Sequence, residues 1–224
     1  MELNAALIGY KGKLGHCIKK WCEDDKDTTL SVLIDRNDPI DMKNKQVNIA
    51  IEVSNAQSVL NNTKALINQS IPTIVGASGI HTNDYPLLDK MAKDKNVPLW
   101  IVPNFSISVV LMTEVVKKIS RFYSHCHIVE SHHLKKIDRP SGTAAHTATT
   151  IKNFSDLNPE ISSIRLPGVL ADQEVIFAQS GETFKLSHHT ESHQAFKEGF
   201  VLALKNLHQM ESGLTIGLEN LLTL

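Results

Sequence analysis

A glycine turn near the start of the chain restricts its fold more than any other feature. Residues Ala5 to Ile8 form a short apolar run that leads directly into GYKGKLG, with Gly9, Gly12 and Gly15, and a helical pattern follows through Cys17, Ile18 and Trp21. Strand, tight turn and helix in that order let main-chain amides approach a pyrophosphate, because a helix start offers unpaired N–H groups and the positive end of its dipole. The spacing is GxxGxxG rather than the commoner GxGxxG, so the turn alone is a weak signal. The next strand strengthens it. Thr28 to Ile34 is apolar and β-branched and ends in Asp35-Arg36, with Asp35 20 residues beyond Gly15. A carboxylate at that offset suits a ribose 2′-hydroxyl, and an adjacent Arg suits a 2′-phosphate, so NADH and NADPH are both candidate cofactors.

Strand-like and helical runs then alternate: Val47 to Val53, a helix near Ser58 to Ile67, Thr73 to Val75, a helix near Pro86 to Lys93, and Leu99 to Val102. That alternation is the pattern of a parallel sheet covered by helices, an α/β Rossmann-like domain. Two turns fall where such sheets bind ligands, Gly76-Ala77-Ser78 and Val102-Pro103-Asn104-Phe105, although each taken alone reads first as a simple βα connection. A long helical pattern covers Ile107 to Phe122, and Cys126 to Val129 reads as a strand delivering His132 and His133 at its end. Past a helix over Ala144 to Phe154 the texture becomes β: Ile161 to Leu166, Glu174 to Gln179 and Glu182 to His188, with Ser180-Gly181 as a hairpin signal. Ala195 to Leu207 reads as an amphipathic helix.

The densest chemistry lies in ESHHLKKIDRPSGTA, Glu130 to Ala144. It combines two adjacent imidazoles, the ammonium groups of Lys135 and Lys136, the carboxylate of Asp138, and then Pro140, Ser141, Gly142 and Thr143 ahead of an alanine-rich helix. Histidine titrates near neutrality and lysine can hold an anion, while the capped helix start favours a carboxylate or phosphate. A polar loop before a capped helix is also an ordinary solvated connection.

This stretch resembles the signature of the dihydrodipicolinate reductase family, E-[AS]-H-H-x-x-K-x-D-x-P-S-G-T-A, at every fixed position. The family's V-[AG]-x-x-G-x-x-G-[RK]-M-G is matched in its glycines, with Lys13 and Leu14 at the usual Arg and Met. The resemblance continues through the loops at Gly76 and Asn104 to ESGLTIGLENLL near the end. It implies NAD(P)H-dependent reduction of 4-hydroxy-tetrahydrodipicolinate, a small dicarboxylate, in the diaminopimelate/lysine pathway. It further implies His132 and Lys136 as catalytic residues, and His133, Ser141, Gly142 and Thr143 as substrate-binding residues. The expected cofactor-binding set is Gly9, Tyr10, Lys11, Gly12, Lys13 and Leu14 at the turn, Asp35 and Arg36 after the second strand, and the two later loops. A dinucleotide-binding domain over 1–106 would be completed by 194–224, and 107–193 would form an α+β substrate domain whose sheet assembles a homotetramer. Departures are a short loop over Asn37 to Lys45, Ser108 for a Gly, Gln173 for a frequent His, and His193 for an Arg.

Composition is consistent with this. A net charge of -1 over 224 residues, with acidic and basic side chains interspersed, calls for no nucleic-acid partner, and no apolar stretch has membrane-spanning length. The start lacks a secretory pattern, so a cytoplasmic location is expected. Cys17, Cys22 and Cys126 contain no CxxC pair and suggest neither a disulfide framework nor a zinc site. His189 and His193 are spaced four apart without an HExxH motif, so no metal is expected. Other two-domain NAD(P) oxidoreductases, an NAD(P)-binding sensor and a metal-dependent hydrolase remain as rival readings. A semialdehyde dehydrogenase would need a nucleophilic cysteine.

Overall fold

The computed structural model describes residues 2–36 and 38–222. Asn37, which opens the short polar loop, lies outside the described residues. The chain divides into two compact units: Met1–Ser106 with Phe196–Leu218, and Ile107–Ala195 with the segment from Glu219 onward.

In the first unit six parallel strands are ordered β2-β1-β3-β4-β5-β10. They are β1 (Leu3–Ile8), β2 (Thr28–Ile34), β3 (Ile49–Glu52), β4 (Thr73–Val75), β5 (Pro98–Ile101) and β10 (Gly213–Ile216). Interior strands β3 and β4 are buried at every residue, as a sheet covered on both faces requires, whereas edge strand β2 alternates. The connecting helices are α1 (Lys13–Glu23), α2 (Val59–Asn68) and α3 (Tyr85–Asp94), with α6 (Lys197–Asn206) leading back to β10. In α1 the buried residues Gly15, Ile18, Trp21 and Cys22 recur at helical spacing, and Trp21 packs against Phe200 of α6 at 5.8 Å between ring centroids. The return of the chain is tied down by the Trp100 indole, which donates to the Gly217 carbonyl at 2.6 Å.

The second unit carries a four-stranded sheet ordered β7-β6-β8-β9, formed by β6 (His125–His132), β7 (Glu160–Arg165), β8 (Ala171–Gln179) and β9 (Glu182–Thr190). The β6-β7 pair is parallel, joined through α5 (Gly142–Phe154), and the rest is antiparallel. Helices α4 (Ile107–Ile119) and α5 cover one face, enclosing Met112, Val116, Ile128, Ala148, Ile151, Val175 and Phe177. The architecture is therefore a Rossmann-like parallel sheet plus an α+β unit.

Several boundaries differ from the sequence reading. The helix from Ile107 ends at Ile119 and tightens into a 3₁₀ turn over Ser120–Phe122, and α5 begins at Gly142. Strand β6 runs on to His132 because both its neighbours continue to pair, His132 lying opposite Arg165 and Ala171. His189 sits in β9 and His193 in a 3₁₀ turn, so their spacing is not that of one helical face. Among the described residues no helix is long and apolar enough to cross a membrane.

Candidate active site

In the first unit β2 lies on one side of β1 and β3 on the other, so the strand order reverses between β1 and β3. Ligands of open α/β sheets bind outside the carboxyl ends of strands at such a reversal. A cavity of about 170 Å³ opens there, lined among others by Gly9, Gly12, Asp35, Arg36, Ser54 and Asn55.

The three glycines of the turn have different work. Gly9 has φ +86°, and a Cβ on it would lie 2.6 Å from the Ser54 Cα. A Cβ on Gly15 would lie 2.1 Å from the Gly9 carbonyl oxygen, so that glycine lets α1 pack on β1. Gly12 is different: it caps α1 without a side-chain bond, and its Cβ would meet only the Gly9 oxygen, at 3.3 Å. The space beside it is open, and the N-terminal amides of α1 at Lys13 and Leu14 are available to an anion. These residues fit a nicotinamide dinucleotide.

At the rim, the Lys11 ammonium pairs with the Asp35 carboxylate at 2.8 Å and lies 5.5 Å from the Tyr10 ring centroid. The hydrogen bond from Lys11 holds Asp35 below the usual carboxylate range. Beneath the cavity Glu52 is fully buried, accepting bonds from the Ser54 hydroxyl and from Asn62 at 2.9 Å. Its burial pushes the carboxyl up, against the pull of those donors. The short loop is pinned by Gln69, which accepts from the Met42 amide and donates to the Ile40 carbonyl, at 2.7 and 2.9 Å.

Gly76-Ala77-Ser78 follows β4 and Val102-Pro103-Asn104-Phe105 follows β5, at the same edge of the sheet. The Val102 and Phe105 side chains are buried, the Phe105 ring lying edge-on to Phe200, so those two present only backbone to a ligand. The Asn104 carboxamide accepts from the Ser106 amide at 2.8 Å and shapes the turn.

In the second unit the signature stretch spans the end of β6 and the start of α5. Alternation along β6 puts Ile128, Glu130 and His132 on its helix-covered face. Glu130 is fully buried, and its Oε2 lies 2.5 Å from His132 Nδ1. Arg165 of β7, whose side chain is 3% exposed, donates to the same carboxylate at 3.0 Å. Burial alone would raise Glu130, but bonds from Ser163, Arg165 and His132 outweigh it and hold the group below its ordinary value. Arg165 also donates to the backbone carbonyls of Lys136 and Asp138, at 3.3 and 2.5 Å. The Lys136 ammonium pairs with Asp138 at 2.8 Å and lowers that carboxyl.

Ser141 has the extended backbone of an N-cap, and its hydroxyl accepts from the Ala144 amide at 3.2 Å. The first intrahelical bond runs from Ala145 to the Ser141 carbonyl, which leaves the Gly142 and Thr143 amides for another acceptor. Gln173, on β8 opposite Glu130, donates to Thr147 of α5 at 2.9 Å. Burial raises the thiols of Cys22 and Cys126 to about 12, so neither is a nucleophile at neutral pH.

Both units match family models: the dihydrodipicolinate reductase N-terminus over residues 3–105 and the dihydrodipicolinate reductase C-terminus over residues 108–222. The chain belongs to the dihydrodipicolinate reductase family. It is 30% identical to a 4-hydroxy-tetrahydrodipicolinate reductase of Coxiella burnetii over 99% of this chain and 100% of the relative. It is 32% identical to one of Cutibacterium acnes over 99% of each. In fold it resembles a dipicolinate-bound dihydrodipicolinate reductase from Paenisporosarcina sp. TG-14, with a TM-score of 0.85 at 22% identity over 99% of this chain and 100% of that one. Members of this family are oxidoreductases with a nicotinamide cofactor.

Seen as a reductase of this family, the chain brings together residues that its motifs did not single out. Ser54, Asn55 and Ser58 line the cavity at the strand reversal from the β3-α2 connection, which carries no recognisable motif. Their signal is positional, since they follow the strand next to β1 in a sheet that reverses there. Arg165 is likewise silent locally, and Glu130 and His132 share a face only because β6 runs on past Val129 to His132.

Proposed function

We propose that this chain reduces 4-hydroxy-tetrahydrodipicolinate, with loss of water, to tetrahydrodipicolinate in diaminopimelate/lysine biosynthesis. The observation that carries this reading is that the family match runs through both units, taking in the glycine turn and the whole Glu130 to Ala144 stretch. When bound, the nicotinamide supplies the hydride. The protein holds that cofactor at the turn of Gly9, Tyr10, Lys11, Gly12, Lys13 and Leu14, where the Gly9 and Gly12 amides already donate to the Ile34 and Gly9 carbonyls and the helix-start amides of Lys13 and Leu14 face the anion, with Gly76, Ala77, Ser78 and the backbone of Val102 to Phe105 at the same carboxyl end of the sheet. Asp35 accepts from a ribose 2′-hydroxyl, and Arg36 pairs with a 2′-phosphate, which supports use of both NADH and NADPH.

His132 holds the proton destined for the substrate on Nε2, since Nδ1 is occupied by Glu130. Lys136 acts as a second acid or as an electrostatic partner. One substrate carboxylate lies against the helix start, where Ser141 and the Gly142 and Thr143 amides donate, and His133 contacts the ring. A homotetramer built through the second unit's sheet is supported by the face that α4 and α5 leave uncovered, and a cytoplasmic location by the pathway.

The test is a coupled assay in which substrate is generated enzymatically and nicotinamide absorbance is followed with NADPH and with NADH, in excess chelator. Turnover that survives chelation supports the reading. Absence of turnover with both nucleotides, or activity abolished by chelation, overturns it.

A further inference from the structure

The layer of the second unit between α5 and the sheet is apolar at Ile128, Val175 and Ile151, and packing alone gives no reason for a carboxylate beside them. Glu130 is nevertheless fully buried there, and an isolated charge in such a place is strongly disfavoured. Its partners come from different directions: Arg165 at 3.0 Å, His132 Nδ1 at 2.5 Å and the Ser163 side chain. The guanidinium goes on to the Lys136 and Asp138 carbonyls at 3.3 and 2.5 Å, so one side chain joins the carboxylate behind His132 to the backbone that carries Lys136.

Resting on the reading that His132 delivers the proton, we propose that Glu130 and Arg165 are the positioning residues of that step. Glu130 accepts from Nδ1–H, so the transferable proton is confined to Nε2. On transfer the Nε2–H bond breaks and a bond to the substrate carbon forms. The ring is left neutral, with its Nδ1 proton still held by Glu130, and the next proton comes from solvent. Arg165 shares the carboxylate's charge, which keeps Glu130 from holding the imidazolium too tightly to act as an acid, and it fixes the Lys136 backbone in the same network.

The experiment is a pH-rate comparison of wild type and Glu130→Gln, together with ¹⁵N spectra of the His132 ring recorded without substrate and assigned by loss of the signal in His132→Gln. Activity that depends on a protonated His132 falls on the alkaline side. Losing an opposite charge in contact with the ring moves that limb to lower pH. The expected kcat at neutral pH drops roughly tenfold or more while substrate KM stays within about twofold, the signature of an interaction made in the transition state. Glu130→Asp restores part of the loss. In the ring spectra the neutral wild-type form is protonated at Nδ1, and Glu130→Gln shifts the population toward Nε2–H.

An unmoved alkaline limb and an unchanged tautomer, with kcat falling only in step with Tm, would overturn the proposal and leave a purely structural ion pair. If Glu130→Gln fails to fold because Arg165 is left buried and unpaired, the double variant Glu130→Gln/Arg165→Met carries no such charge and is read by the same two criteria. Failure of the wild type to turn over would count against the proposed reaction. The ring tautomer, measured without substrate, still decides this inference.

Discussion

Gly142→Pro separates what the start of α5 does for the fold from what it does for the substrate. Gly142 is the first residue of that helix, directly after the Ser141 cap, where a proline is favoured because the position's N–H has no intrahelical partner. The residue before a proline must be extended, and Ser141 already has φ -65° and ψ 153°. A Cβ at Gly142 would meet nothing within 4 Å. The substitution therefore fits the folded chain, and by restricting the unfolded one it adds about 0.4–1 kcal/mol of stability. For a protein of this size that corresponds to a Tm unchanged or raised by up to about 4 °C. What is lost is one backbone donor to a carboxylate, a charge-assisted bond contributing about 1.5–3 kcal/mol. At about 1.4 kcal/mol per tenfold, substrate KM rises roughly 10- to 150-fold. Steady-state kinetics with generated substrate give KM and kcat, and a thermal melt gives Tm. A folded Gly142→Pro protein with wild-type KM would refute the amide contact, and a Tm lowered by several degrees would refute the cap geometry.

The turn glycines should divide in the same way. Gly15→Ala places a Cβ against the Gly9 carbonyl and costs about 1–3 kcal/mol or more through overpacking, lowering Tm of the apo protein. Gly12→Ala leaves Tm nearly unchanged but weakens NADPH and NADH in a fluorescence titration; wild-type affinity would contradict the open approach beside Gly12. Arg36→Ala is expected to weaken NADPH selectively, and equal losses for both nucleotides would count against a 2′-phosphate contact. Glu52 supplies a pH dependence. Burial raises its folded pKa above the ordinary 4.5, so its contribution is fully present below that value and is lost as pH rises through the folded one. Glu52→Gln removes this titration. The Tm difference, variant minus wild type, should become more positive from about pH 4 to about pH 7, and a difference independent of pH would refute the assignment.

The parts of the fold legible in the sequence are those set by local patterning. The apolar runs of β2 and β4 and the start of α4 at Ile107 are marked by residues within a few positions, and the structure has them at Thr28–Ile34, Thr73–Val75 and Ile107. The end of β6 was not legible, because His132 is polar and is kept in the strand only by pairing with β7 and β8. The short loop reads as polar, yet Met42 is buried and the segment is held by Gln69, a contact between residues 27 apart in sequence. In the candidate site the imidazoles, Lys136 and the glycine turn announce themselves by residue type and spacing. Arg165 does not. It lies 35 residues from Glu130, and only the parallel register of β6 and β7 brings the two together. The Lys11-Asp35 pair was hidden in the same way, since it spans β1 and β2.

The most direct measurement is the rate of nicotinamide oxidation by His132→Gln beside wild type, with 4-hydroxy-tetrahydrodipicolinate generated in the assay and nucleotide affinity measured separately. The account predicts robust wild-type turnover, a kcat lowered roughly 10²- to 10⁴-fold in the variant, and unchanged binding of NADPH and NADH. A variant as fast as wild type, or a wild type that leaves the nicotinamide unoxidised, would contradict it.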